Sequence, residues 1–222
     1  MFKLLFTVKK PFLLIVLLLM AVSVSAQRSF LGSHSNYNSN DDFYEPKIGI
    51  EAGLNLSSTI NSPNAYFSTG GIAGFNIGVI FEVPIASPLT LSPEILYSQK
   101  GYTAITVNGN LTQHTQFMDV PLLAKFAIGQ GISLYAGPQL SYLATLKNTY
   151  DNGFVTASEG LYDNSSNKIY LDGVAGISLG INDNIDLRAR YTIDLQQNNA
   201  NGNVYVPGYR NQVLQFGLGF KF

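Results

Sequence analysis

The chain closes with Val213-Leu-Gln-Phe-Gly-Leu-Gly-Phe-Lys-Phe222, and this stretch decides the fold class. Apolar residues alternate along it with polar or small ones. Successive side chains of a β-strand point to opposite faces of the sheet, so one face of this strand is wholly apolar. That face carries Leu214, Phe216, Leu218, Phe220 and Phe222. An apolar, aromatic-rich outer face is typical of strands in transmembrane β-barrels.

The same alternation recurs along the chain after Pro46. It predicts eight strands, at about residues 47–59, 70–83, 88–103, 114–128, 131–147, 168–181, 184–197 and 210–222. Short connections (84–87, 129–130 and 182–183) alternate with long ones (60–69, 104–113, 148–167 and 198–209). Short periplasmic turns and longer extracellular loops are typical of outer-membrane barrels. The sequence therefore predicts an all-β fold, an eight-stranded antiparallel up-and-down transmembrane β-barrel over residues 47–222.

Charged residues of the predicted strands are expected on the face opposite the apolar one, with none on the apolar face. Arg or Lys facing lipid at the bilayer midplane costs about 2–4 kcal/mol. The polar faces hold acids and bases in equal number, including Lys47 and Lys147 near strand ends. The other members form the predicted lumen charge network: Glu51, Glu82, Glu94, Lys100, Asp119, Lys125, Asp172, Asp186, Arg188, Arg190, Asp194 and Lys221.

Two functions are compatible with such a lumen. One is a selective narrow channel or gate. The other is a set of ion pairs that fills the barrel, which we favour because eight strands leave an interior just wide enough for side chains. A soluble barrel with its apolar face inside is a further alternative. The Gly-rich polar face argues against it, as do the two aromatic girdles, Tyr97, Tyr142 and Tyr191 on the long-loop side and Phe81, Phe126, Phe220 and Phe222 on the short-turn side.

The first 46 residues are predicted to lie outside the barrel. Lys3, Lys9 and Lys10 precede an apolar run over 12–22, and Val24-Ser25-Ala26 supplies small residues before a cleavage point. Residues 1–26 are therefore a predicted signal peptide, and the apolar run is too short to span a bilayer as a helix. Residues 27–46, rich in Ser and Asn, form a predicted flexible periplasmic arm.

Composition excludes several classes of function. Charged residues make up 12% of the chain, about half the usual share of a soluble domain, and the formal net charge is −1. Such a charge argues against a nucleic-acid partner. There is no cysteine, so no disulfide is expected. The sequence predicts no cofactor, no metal site and no catalytic residue, because the only histidines, His34 and His114, do not join a nucleophile and an acid.

Four stretches resemble the PorT-type outer-membrane β-barrel family. They are Lys47-Ile-Gly-Ile-Glu-Ala-Gly-Leu-Asn55, Leu91-Ser-Pro-Glu-Ile-Leu-Tyr-Ser-Gln-Lys-Gly101, Phe117-Met-Asp-Val-Pro-Leu-Leu-Ala-Lys125 and Leu134-Tyr-Ala-Gly-Pro-Gln-Leu140. The resemblance covers about residues 47–222 and implies an eight-stranded barrel in a Gram-negative outer membrane. It also implies that Phe222 is a C-terminal signal read by the barrel-insertion machinery. The founding member of the family is linked to a protein secretion pathway, and the resemblance does not imply that role for this chain.

The function predicted from sequence is therefore that of a non-enzymatic outer-membrane barrel. Its expected role is structural support of the envelope or partner binding through four extracellular loops, the longest of which (148–167) holds Tyr150, Phe154 and Tyr162. The alternatives are a narrow porin-like channel and a barrel enzyme acting on lipid. Expected partners are outer-membrane lipid, the insertion machinery and an extracellular or envelope protein, and the expected state is a monomer.

Overall fold

The computed structural model describes residues 45–61, 68–106, 109–151, 156–161, 168–196 and 209–222. Within these ranges no helix is long and apolar enough to cross a membrane. The strands are β1 (Lys47–Asn61), β2 (Ser68–Ala86), β3 (Leu89–Thr106), β4 (Gly109–Gly129), β5 (Ile132–Asp151), β6 (Thr156–Leu161), β7 (Ile169–Gly180), β8 (Ile185–Asp194) and β9 (Tyr209–Lys221). The predicted signal peptide and nearly all of the predicted arm fall outside the described residues.

Eight of these strands close into a ring. Each pairs antiparallel with its neighbours in the order β1, β2, β3, β4, β5, β7, β8 and β9, and β9 returns to β1. At the closure Ile50 lies opposite Phe220 and Leu54 lies opposite Phe216. Because every ring strand has two partners, no backbone edge is left along the ring. The predicted all-β, eight-stranded antiparallel barrel is confirmed.

Tight turns join the ring strands at one end of the barrel, which we call the short-turn side; the opposite end is the long-loop side. β4 and β5 are separated by two residues, of which Gly131 has a φ of +74° that favours glycine. In the β7–β8 turn, the Asn182 side-chain oxygen accepts hydrogen bonds from the backbone N–H groups of Asn184 (3.0 Å) and Ile185 (2.8 Å). These two hydrogen bonds pair the backbone N–H groups of the turn and thereby stabilise it.

The predicted long loop at 104–113 is wrong. β3 continues to Thr106 and β4 begins at Gly109, so the two strands form a tight hairpin. In this extension three inward side chains are apolar, and these residues, Tyr102, Ala104 and Leu111, pack together beside the buried amide of Gln113. The alternation therefore reverses beyond the membrane, where the outer face meets water and the inner face becomes a small core. A rule that places apolar side chains outward along the whole strand does not predict this extension.

The predicted loop at 148–167 is also partly wrong. β5 continues to Asp151 and pairs with β6 over Leu146–Asp151, forming a hairpin on the long-loop side. β5 changes its partner along its length. It pairs with β7 from Ile132 to Tyr142 and with β6 from Leu146 to Asp151. Phe154 and Tyr162, proposed from sequence as loop aromatics, fall outside the described residues.

A register shift in β5 changes the direction of one charged residue predicted on the polar face. Gln116 of β4 lies opposite Thr145, whereas Phe117 lies opposite Leu143, so Ala144 is an extra residue. An inserted residue moves every later side chain of a strand to the other face. Lys147 is consequently exposed on the outer face, contrary to the prediction that it points inward.

The outer face is apolar across the middle of the barrel, as predicted. Leu54 is 66% exposed and Phe216 is 49% exposed, which is the reverse of a water-soluble fold. On the short-turn side, the rings of Phe220 and Phe222 contact edge to face at 5.0 Å. The expectation that no charge shares this face is wrong at its long-loop end, where Arg210 joins Lys147 on the outside.

Candidate functional site: the lumen

The predicted lumen residues point into the barrel. Eleven of the twelve are buried, and Lys125 is partly exposed at the short-turn side. They arrive there because each occupies the inward parity of its strand, opposite the apolar outer positions. Their burial is extreme for ionised groups, since Glu94 is 1% exposed and Asp172 is 0% exposed. Charges at this depth must be paired.

Arg190 of β8 lies at the centre of this lumen. One terminal guanidinium nitrogen donates to Glu94 Oε2 at 2.7 Å, and the other donates to Glu51 Oε1 and Oε2 at 2.6 and 2.5 Å. Its guanidinium also lies over the Tyr135 ring, 5.8 Å from the ring centroid. Two carboxylates from β1 and β3 are thereby tied to β8 across the lumen.

Arg188, two residues earlier on β8, binds the same pair and extends it toward the short-turn side. It donates to Glu51 at 3.1 Å and to Glu94 at 2.8 Å. It also contacts Glu82 at 3.1 Å and Asp186 at 3.3 Å. One guanidinium therefore bridges carboxylates of four strands.

Two lysines complete the set at the short-turn side. Lys125 lies 2.7 Å from Glu82 and 3.6 Å from Asp186, while Lys221 lies 3.3 and 3.5 Å from the same carboxylates. Four acids now face four bases, so this cluster carries no net formal charge. We call it the eight-charge network; its members are Glu51, Glu82, Glu94, Asp186, Lys125, Arg188, Arg190 and Lys221.

A separate group lies nearer the long-loop side and is built around Lys100. Its ammonium contacts Asp119 at 3.1 Å and Asp172 at 3.7 Å, and it lies 4.6 Å from the centroid of the Phe117 ring. Asp172 also accepts hydrogen bonds from Gln139 (2.9 Å) and Ser141 (2.5 Å). Eleven of the twelve predicted residues thus divide into two groups of ion pairs.

Asp194 has a different position from the other predicted lumen acids. Its carboxylate accepts hydrogen bonds from the backbone N–H (2.9 Å) and the side-chain amide (2.8 Å) of Asn211. These bonds join the end of β8 to the beginning of β9 at the long-loop side. Asp194 therefore holds two strand ends together.

An uncharged polar layer was missed from the sequence. Asn55 donates to Ser98 Oγ at 3.0 Å, and its side-chain oxygen accepts from Asn76 (2.5 Å) and Gln215 (3.0 Å). All four side chains are buried. Their inward direction follows from the sequence alternation, but the alternation does not indicate that these side chains bond to one another.

Inward glycines make room for these large side chains. A β-carbon placed on Gly176 of β7 would lie 2.6 Å from Tyr135 Cζ and 2.5 Å from the backbone oxygen of Ala189. Both distances are far below van der Waals contact. Gly176 is therefore required where Tyr135 lies beneath Arg190.

Alanine at Gly176 is expected to destabilise the barrel by about 1–3 kcal/mol, the usual range for overpacking a filled core. Gly173 is the matched control on the same strand, because a β-carbon there would lie 3.4 Å from its nearest neighbour, an ordinary contact. Urea unfolding in detergent micelles measures both variants. Equal midpoints for Gly176→Ala and Gly173→Ala would contradict this account of the lumen.

The geometry does not assemble a hydrolytic set around His114. Thr115 and Asp119 point into the barrel and are buried, whereas His114 is exposed on the outer face. Among the described residues, no group of three or more His, Cys, Asp or Glu side chains is placed to hold a metal ion. What the lumen groups do in this arrangement is bind one another across the strands.

A closed antiparallel ring with an apolar exterior and an ion-paired interior is an integral outer-membrane β-barrel. The model of the family described as "Outer membrane protein beta-barrel domain" matches residues 26–198. The chain belongs to this family, and its location is the outer membrane.

Several solved structures are similar to this chain. The attachment invasion locus protein Ail of Yersinia pestis is 17% identical, with a TM-score of 0.49 over 80% of this chain and 99% of Ail. Neisserial surface protein A is 17% identical, with a TM-score of 0.49 over 79% and 97%. The outer membrane protein OprG from Pseudomonas aeruginosa is 13% identical, with a TM-score of 0.37 over 79% and 95%. Among curated proteins, no sequence matches.

Proposed function

We propose that the chain is a non-enzymatic barrel whose lumen is sealed by ion pairs. It stabilises the envelope or presents its long-loop side, which faces the cell exterior in this proposal, to a protein partner. The observation that carries the proposal is the cross-lumen bridging by Arg188 and Arg190, which joins β8 to β1, β2 and β3. A conducting path through this level would have to separate those pairs.

Burial above the eight-charge network supports the same proposal. Asn55 and Ser98 are both 0% exposed, so no water-sized space adjoins them. Further toward the long-loop side the inward face includes a buried apolar cluster, with Tyr102 2% exposed. Ions would meet paired charges, buried amides and this apolar cluster along the lumen.

The PorT-type assignment belongs to this proposal as well. The motif stretches that suggest it contribute Glu51, Glu94, Lys100, Asp119 and Lys125 to the lumen. In this interpretation the motif residues serve lumen packing, because they hold strands together across the interior. Insertion by the barrel-insertion machinery through Phe222, and a monomeric state, are part of the same proposal.

A sealed lumen predicts electrical silence. In planar bilayers the purified protein is expected to give no conductance above that of protein-free bilayers in about 1 M salt, because side chains fill the barrel and block the path of ions. An open porin in the same bilayers serves as the positive control. Stable unitary steps from the wild-type protein would overturn the proposal.

A narrow pore is the second candidate, favoured by the partial exposure of Glu82, Lys125 and Lys221 at the short-turn mouth, where their side chains are 11–12% accessible. If it conducts, charges at this mouth must set its ion selectivity. Lys125→Glu would then shift the reversal potential toward cation preference. Conductance that is insensitive to this substitution would point to leakage around the protein.

A further inference from the structure

On the described part of the outer face, charge is confined to the long-loop side. Among strand residues whose side chains the structure describes, the charged groups on this face are Lys147, Arg210 and Asp151, and all three are exposed. His114 lies opposite Lys147 in the β4–β5 register and is also exposed. Such groups lie outside the hydrocarbon, since exposure of a charge within it is costly.

The height of Lys147 can be counted from a tyrosine. Met118 lies opposite Tyr142, and His114 lies opposite Lys147 four inter-strand pairs further on. Four residues of β4 span about 13 Å along the strand, or about 10 Å of height at a tilt near 40°. Tyrosines of barrel girdles lie at the membrane interface, so Lys147 and His114 lie at the level of lipid headgroups.

A different wall of the barrel repeats this spacing. Tyr191 of β8 lies opposite Leu214 of β9, and its hydroxyl donates to Gln212 Oε1 at 2.8 Å. Arg210 lies four residues beyond Leu214 on the same outer face. Cations on two walls thus lie the same distance beyond an interfacial tyrosine.

The acidic residue of this face lies further toward the long-loop end than the cations. Asp151 lies four residues beyond Lys147, opposite Asn110. Moving outward, the face presents apolar side chains, tyrosine, cation and finally carboxylate. This is the order of acyl chains, interface, phosphate and bulk water in a phosphorylated lipid leaflet.

Resting on the proposed function, in which the long-loop side faces the cell exterior, we propose that Lys147, with His114 beside it, and Arg210 are two binding positions for the phosphate groups of the outer-leaflet lipid, lipid A. Lysine supplies a compact positive charge, and the planar arginine fork fits two phosphate oxygens. Paired residues on adjacent strands have β-carbons about 4.5–5.5 Å apart, so Lys147 and His114 can contact one phosphate together. The acyl chains would lie on the apolar wall below.

The test compares lipids that differ only in phosphate. The purified barrel in detergent micelles is titrated with bis-phosphorylated lipid A or with the same lipid A after removal of its phosphates, and bound lipid is counted by native mass spectrometry. We expect tighter retention of the phosphorylated form, with inorganic phosphate failing to displace it. Equal retention of the two lipids would overturn the proposal, and displacement by inorganic phosphate would reassign the site to free anions.

Variants locate the effect. Lys147→Gln and Arg210→Gln should each lower the affinity for phosphorylated lipid A by about fivefold, and Lys147→Arg should retain that affinity. Lys47→Gln at the short-turn side is the matched control, expected to leave binding unchanged. Loss of the same size in Lys47→Gln and Lys147→Gln would contradict the assignment. The comparison of the two lipids on wild-type protein stands even if a variant folds poorly.

Discussion

Replacing Arg190 by methionine is expected to lower the free energy of unfolding by about 3–5 kcal/mol, the range for removing one partner of a buried ion pair. Methionine is of similar length but supplies no charge and no donor. Glu51 and Glu94 would keep only their contacts with Arg188, and the eight-charge network would acquire a net negative charge at a position that water does not reach. The carboxylate repulsion would act between β1 and β3.

Urea titration in detergent micelles, with the folded fraction read from heat-modifiable migration on gels, measures this change. Arg210→Met is the matched control, because the same substitution at an exposed site should leave the midpoint unchanged. Combining Arg190→Met with Glu94→Gln removes one charge of each sign and should recover part of the loss. A midpoint for Arg190→Met equal to that of Arg210→Met would show that the pairs do not hold the strands.

The ring itself was predictable because the membrane imposes a simple rule on sequence. Outward positions must be apolar, so Ile50, Leu54, Phe216 and Phe220 mark strand faces without further information. Even strand number and alternating connection lengths then imply that the first and last ring strands meet. The pairing of Ile50 with Phe220 confirms that step.

Two errors arise where the rule stops applying. Beyond the membrane, Tyr102 and Leu111 point inward because the outer face there meets water, so the same alternation has the opposite meaning. The dipeptide Asn108-Gly109 in the sequence between them is a strong hairpin signal and was the available clue. The extra residue at Ala144 leaves no mark in composition, and this is why Lys147 was assigned to the wrong face.

Ring closure predicts that Glu51 lies near Arg188 and Arg190, but the sequence does not identify the other partners within the lumen. Parity places Arg190, Glu51 and Glu94 on inward faces, but they come from three strands far apart in the chain. Which carboxylate meets which guanidinium depends on barrel shear and on where glycines such as Gly176 leave space. Sequence alternation therefore places these side chains on inward faces, but it does not show their division into two groups. The predicted balance of acids and bases does not hold, because Lys147 lies on the outer face.

Arginine at Leu54 is expected to destabilise the barrel in lipid vesicles by about 2–4 kcal/mol, the cost of a lipid-facing arginine near the midplane. Leu54 is the middle residue of the outward-facing positions of β1 and lies opposite Phe216. It is 66% exposed, so in a soluble barrel with the same strands an arginine there would simply meet water. The size of the effect therefore measures the lipid environment of this face directly.

Ile48→Arg provides the control on the same strand and the same face. Ile48 lies six residues from Leu54, about 20 Å along the strand, at the short-turn side where an arginine can reach the interface. The expected change there is about 0–1 kcal/mol. Leu54→Ala separates the loss of the leucine side chain from the presence of the charge. If Leu54→Arg and Ile48→Arg had the same urea midpoint in vesicles, the depth of a residue in the bilayer would not determine the cost of an arginine on this face. The apolar positions from Ile50 to Leu56 would then need an explanation other than lipid.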